Sequence, residues 1–306
     1  METVRGFVRR FPVLSFFTLA FGLSWMAWTP YILGNTGLGL EPDFQLPTGT
    51  MGQLVGMLPG AYLGPLSAAF IVTALAEGRA GLRLWAKRLV RWRVGWTWYV
   101  GVVLLVPATI LLTTLILPGA LDGLTIPAVG VLALFAPMLV IQFLTTAMAE
   151  EPGWRDFALP RLQEKFGPVL GTTILGVLWG CWHLPLFFTE WGGYPNISWV
   201  EPVVFVLSAV PLSFVMTWLF NRTNQSLPLV MLFHAAINST YSLLWPMIFP
   251  KLSGDHDSLV VNLVAAVGAA GVLILVTRGR LGLQAKRPVG VDVRLGLVEF
   301  RQVGSH

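Results

Sequence analysis

The sequence predicts an all-α integral membrane protein, about eight transmembrane helices in a single bundle, and three observations predict it. Only 11% of its 306 residues are charged, against about 25% in soluble domains, while 55% are apolar and mean hydropathy is +0.71. The charges gather in short clusters separated by uncharged runs of about 20 residues, the length a helix needs to cross a hydrocarbon core. The basic clusters also fall on alternate connections between those runs. A cytosolic enzyme and a disordered chain are both excluded by this composition. The single Cys, Cys181, rules out an internal disulfide and a multi-Cys zinc knuckle.

The runs are, in order, Phe11 to Leu33, Leu54 to Ala76, Gly95 to Leu117, Leu124 to Met148, Val169 to Thr189, Val203 to Phe220, Leu227 to Ile248 and Leu259 to Thr277. The first is too long for a signal-peptide core and is expected to stay as an anchor. Apart from His183 and His234, the interiors carry no ionisable Asp, Glu, Lys, Arg or His. A net charge of +5 raises the question of nucleic acid, but the basic residues form no single patch, and no such partner is expected. If the N-terminus with Arg5, Arg9 and Arg10 is cytoplasmic, so are Arg79 to Arg93, Arg155 to Lys165, Arg222 and the tail from Arg278 to Arg301. That collects 19 of the 20 basic residues and leaves Lys251 outside with Glu41, Asp43, Asp122, Glu190, Glu201, Asp255 and Asp257. Eight crossings with both termini cytoplasmic satisfy the positive-inside rule, and seven or nine break it. No internal repeat divides the chain, so residues 1–278 read as one membrane domain and 279–306 as a short cytoplasmic tail.

Between the second and third runs, Arg83, Lys87 and Arg91 recur every four residues while Leu82, Trp85, Leu89 and Trp92 fall largely on another face. This is the pattern of an interfacial amphipathic helix with cations toward anionic lipid, or of a plain basic orientation signal.

Three places hold polar residues that lipid-facing sequence does not tolerate. At the end of the fourth run stands TTAMAEEPGWRDF, in which Glu150 and Glu151 point about 100° apart on a helix and so face different surroundings. Glu151 and Arg155 have the i, i+4 spacing of a helical ion pair, which would leave Glu150 free. Pro152 and Gly153 predict a distorted helix end. In the fifth run Trp179 and His183 share a face, with Trp182 beside the ring, and in the seventh His234 and Asn238 are one turn apart. A Glu, two His and an Asn on three helices make a hydrolytic set. Glu150 would take a proton from water, His183 would help hold that water, and His234 with Asn238 would donate to the oxyanion.

These residues, Glu150-Glu151-x-x-x-Arg155, then Trp179-x-x-x-His183, then His234-x-x-x-Asn238, resemble in order the three motifs of the type II CAAX prenyl protease family. That family is also called CPBP, for CAAX-processing and bacteriocin-processing intramembrane proteases. The likeness runs over about residues 81–241. It implies an eight-helix fold with an intramembrane cavity open to the cytoplasm, Glu150 and His183 activating water, His234 and Asn238 as oxyanion pair, and Glu151, Arg155 and Trp179 in support. It also implies a protein or peptide substrate, prenylated in some members. The chain departs from the pattern at Trp179, where many members carry Phe, and at Asp156, where Gly is common.

Other chemistries stay open at this point. Glu150, His183 and His234 are also a conceivable ligand set for catalytic zinc, although no HExxH is present and Asn238 suits an oxyanion better than a metal, so no cofactor is favoured. A non-catalytic role, as an immunity-like binder or a transporter, would use the same pocket. Within spans there is no acidic pair for an aspartyl mechanism and no Gly-x-Ser-Gly for a serine one, and Cys181 reads as a packing residue. Simple counting leaves one conflict. His183 lies about 20 Å into its span while Glu150 lies near the membrane surface. The fourth helix is therefore expected to run past Glu150, with Phe157 to Pro168 folding back into the membrane.

Overall fold

A computed structural model of the chain describes residues 2–252 and 254–283, and among them there is helix but no strand. A short surface helix, α1 (Glu2–Arg10), precedes the first apolar helix, α2 (Pro12–Leu33). Next come α3 (Thr50–Ala61), a π-helical turn at Tyr62–Leu66, and α4 (Ser67–Leu89), followed by α5 (Trp96–Thr114). The central stretch is α6 (Val129–Gln142), a π turn at Phe143–Ala147, α7 (Met148–Glu151), a π segment at Pro152–Ala158 and α8 (Leu159–Trp182). After two 3₁₀ turns, Leu184–Phe188 and Glu190–Gly192, the chain forms α9 (Val200–Arg222), α10 (Leu227–Ser239), a π turn at Thr240–Leu244, α11 (Trp245–Ile248) and α12 (Gly254–Thr277).

Among the described residues, seven stretches are long and apolar enough to cross a membrane, and one of them, Val129–Phe188, is 60 residues long. That is far more than one crossing needs. Gly167, at φ 76° and ψ 171°, interrupts α8, a conformation open to glycine and strained for other residues, and Pro168 follows it. The 60 residues are therefore two antiparallel arms, and a Cβ on Gly171 would lie 2.8 Å from the Leu162 carbonyl carbon across the turn. With the hairpin counted as two, eight apolar helices make a multi-pass membrane bundle. Its outer surface shows large apolar side chains to lipid, among them Leu104, Leu105, Leu275 and Val276.

One feature goes beyond the sequence reading and another differs from it. A surface helix, α1, lies ahead of the first run and packs on α4: Arg5 Nε donates to Leu75 O and Arg9 Nε to Ala76 O, both at 3.2 Å. Those carbonyls sit just before Gly78, whose φ of 68° and ψ of −155° break α4, so the arginines cap backbone oxygens at a broken helix. The amphipathic helix also stops earlier than its sequence pattern, at Leu89. Arg91 and Trp92 lie beyond its end, and Trp85 is buried instead of resting at headgroup depth. Of the expected tail, residues 284–306 lie outside the described residues.

Candidate active site

The three motifs converge where the 129–188 hairpin meets α10. Glu150 is 17 residues before Gly167 and His183 is 16 after it, so two arms of equal rise carry them to one level. That removes the conflict of depths. The helix does run past Glu150, and the fold-back falls at Gly167, while Phe157 to Phe166 simply continues the first arm.

The helix carrying the two glutamates is widened on both sides, at Phe143–Ala147 and Pro152–Ala158. Pro152 has no N–H to give to the preceding turn, and such π insertions recur at functional sites. The expected distortion is present, but the helix continues through it. Glu150 and Glu151 do face different partners. Trp179 Nε1 donates to Glu150 Oε2 at 2.7 Å, so Glu150 is held by an indole where the sequence reading left it free. Glu151 forms the expected ion pair with Arg155, Nε to Oε2 at 3.5 Å, and its other oxygen, Oε1, lies 2.8 Å from His234 Nδ1. Both glutamates and Arg155 are buried, and the guanidinium pairs with Glu151 while the indole engages Glu150. Arg155 also lies over the Trp179 ring at 4.5 Å and donates to Ser213 Oγ at 3.4 Å and Met216 Sδ at 2.9 Å on α9.

His183 ends the second arm. Its Nδ1 lies 2.9 Å from the Trp179 carbonyl, and because a carbonyl only accepts, Nδ1 carries the proton and Nε2 is the acceptor of the neutral ring. The expected Trp182 contact is present at 4.6 Å between ring centroids, edge-on. Two aromatics that sequence reasoning missed complete the box: Trp191 stacks on the ring at 5.8 Å and 18°, and Phe205 meets it at 4.9 Å. Asn238 is half-buried; its Nδ2 donates to Thr146 Oγ1 at 3.1 Å and reaches Gln142 Oε1 at 3.5 Å. Gln142, Thr146 and Glu150 are spaced by four, so a helical-face reading of the sequence could have found them.

The ligand atoms drawn together within 4.8 Å are those of Glu150, Glu151 and His234. The metal set suggested by sequence had His183 in place of Glu151. Asp156, next to Arg155 and fully buried, forms an ion pair with Arg88 of α4, which gives this departure from the family pattern a structural role. An apolar cavity of about 470 Å³ lies behind the site, where Phe233 and Ile237 of α10 face α5, α9 and α12.

Residues 132–240 match the family described as Type II CAAX prenyl endopeptidase Rce1-like. A protein named CAAX prenyl protease 2, from Methanococcus maripaludis, is 29% identical over 188 residues, covering 56% of this chain. The chain spans 64% of that relative's length. The resemblance read from the three motifs is thus borne out, and the matched residues take in Glu150, Glu151, Arg155, Trp179, His183, His234 and Asn238.

Proposed function

We propose that this chain, similar over residues 132–240 to the type II CAAX prenyl endopeptidases, is an intramembrane endopeptidase that hydrolyses a peptide bond near the C-terminus of a protein substrate of the CAAX kind. The observation that carries the reading is the buried cluster of Glu150, Glu151 and His234 on two different helices, with the Trp179 indole fixing the Glu150 carboxylate. Trp179 engages one oxygen of Glu150, and the other takes the proton of the attacking water. His183 offers its Nε2 as a second acceptor for that water. The water adds to the peptide carbonyl, and the proton held by Glu150 passes to the leaving amine.

The oxyanion falls to His234 and Asn238. With His234 Nδ1–H directed at Glu151, Nε2 is the nitrogen left for substrate, and as a donor it must carry the ring's second proton, balanced by Glu151. The Asn238 amide, tied to Thr146 and Gln142, supplies the other donor by turning one N–H toward the substrate. Access runs past Asn238, the least buried of the set.

A metal-dependent version is favoured by one observation, the three ligand atoms within 4.8 Å. They fit a zinc site that keeps one position for water. Against it, Glu151 is already shared between Arg155 and His234. The test is cleavage of prenylated and unprenylated peptides by the purified chain, with Glu150→Gln and His234→Ala beside wild type and with a zinc chelator in one arm. We expect Glu150→Gln to lower kcat by roughly 10²- to 10⁴-fold, with no response to chelator. Loss on chelation and recovery with zinc would move the reading to the metal, and no cleavage of any peptide by wild type would remove the protease.

A further inference from the structure

Past the break at Gly78, the end of α4 lies beside the site and presents two different faces. Arg79, Arg83 and Lys87 recur every four residues and are exposed, so they form one stripe. Among the described residues, none of the three pairs with a carboxylate. Leu84, Trp92 and Trp96 are exposed alongside. The other face is fastened to the site. Trp85 Nε1 donates to Pro152 O at 3.3 Å, and Arg88 pairs with Asp156, both on the π segment that carries Arg155. Just beyond the helix, Arg91 Nη1 donates to Asn224 O at 2.6 Å, and Ser226 Oγ donates to Arg91 O at 2.8 Å. Ser226 is the residue from which α10 begins, and α10 carries His234 and Asn238. One basic segment therefore grips both the carboxylate helix and the histidine helix.

We propose that the stripe Arg79, Arg83 and Lys87 binds the anionic lipid headgroups of the leaflet it faces, and that this contact keeps the two halves of the site in register, so that anionic lipid sets the rate. The occupant follows from where the stripe lies. It begins where α4 leaves an apolar membrane run, and the exposed indoles of Trp92 and Trp96 flank it, the residue type enriched at membrane–water interfaces. Juxtamembrane cations in that position are drawn to an anionic leaflet. Free cations on one face and site contacts on the other give the bound lipid a mechanical path to Arg155 and to the start of α10.

The binding half stands without the protease reading, and the rate half rests on it. The experiment uses the full chain in nanodiscs of phosphatidylcholine alone or with one third phosphatidylglycerol. Two quantities are read: backbone hydrogen exchange over residues 79–93, and kcat on a saturating, net-neutral peptide so that surface concentration of substrate plays no part. We expect anionic lipid to slow exchange over 79–93 and to raise kcat by roughly fivefold, equivalent to about one surface cation's attraction to an anionic leaflet reaching the site. Arg79→Gln/Arg83→Gln/Lys87→Gln should keep the phosphatidylcholine rate and lose both responses. Arg88→Gln should keep the exchange response and lose the rate response. If that variant does not fold, Trp85→Phe makes the same cut. Equal exchange in the two lipids overturns the binding, and slowed exchange with an unchanged kcat overturns the coupling. No cleavage in either lipid means the protease reading has failed, and the exchange result then decides the binding alone.

Discussion

Trp179 does three things at once for the site. It donates to Glu150, lies under the Arg155 guanidinium, and lends its backbone carbonyl to His183. Replacing it by Phe keeps the ring and the carbonyl and removes only the indole N–H. A hydrogen bond to a charged group contributes about 1.5–3 kcal/mol, so Trp179→Phe should lower kcat by roughly tenfold or more with KM nearly unchanged. It should stop well short of the loss at Glu150→Gln, since the resembling family often carries Phe there. Steady-state kinetics on one peptide decides it, and an unchanged kcat would make the indole a packing group. The motif residues were legible in the sequence because lipid does not tolerate isolated Glu, Arg and His in apolar runs. Trp191 and Phe205 were not, because in a chain with 12% aromatic residues a further ring carries no signal. Which oxygen meets which donor was equally hidden, since spacing gives a face and not a partner.

At the scale of helices, the hairpin is held against α9 by close backbone approach. A Cβ on Gly176 would lie 2.7 Å from Val210 Cα, and one on Gly180 would lie 2.9 Å from Val206 Cα. Gly176-x-x-x-Gly180 is the small-residue spacing that lets membrane helices touch. Gly176→Ala must push the α9 backbone away, and overpacking of this kind costs about 1–3 kcal/mol. We expect a lower Tm for the detergent-purified variant, and an unaltered Tm would mean that α9 yields freely. The apolar runs were legible because burial in lipid demands length and hydropathy together. Their ends were not. The π widenings keep a helix going where Pro152 predicted an end, and positive φ at Gly78 and Gly167 sets breaks that hydropathy does not mark.

For the whole molecule, eight crossings place the connection after α4 and the connection after α5 on opposite sides. The basic residues would put the first in the cytoplasm. Arg93 and Asp122 are both exposed and lie on those two connections. In a Cys181→Ser background, Asp122→Cys should react with an impermeant maleimide from outside sealed cells, and Arg93→Cys only after the membrane is opened. Labelling of both from one side would overturn the eight-helix count. That count was legible from the apolar runs and the placement of basic residues together, while the packing of α1 over the broken end of α4 needed the third dimension.

The hairpin also bears on how the molecule is made. Glu150 and Trp179 belong to neighbouring arms, and Glu151 and Arg155 to a single helix, so a chain synthesised from its N-terminus can close these contacts before α10 exists. The two acids then enter the bilayer already matched, one by an indole and one by its own guanidinium, which lowers the cost of inserting them. His234 arrives last and meets a carboxylate already in place. Under the proposed function, the nascent chain until then holds a sheltered base with no oxyanion partner, and cleavage would wait for the seventh crossing.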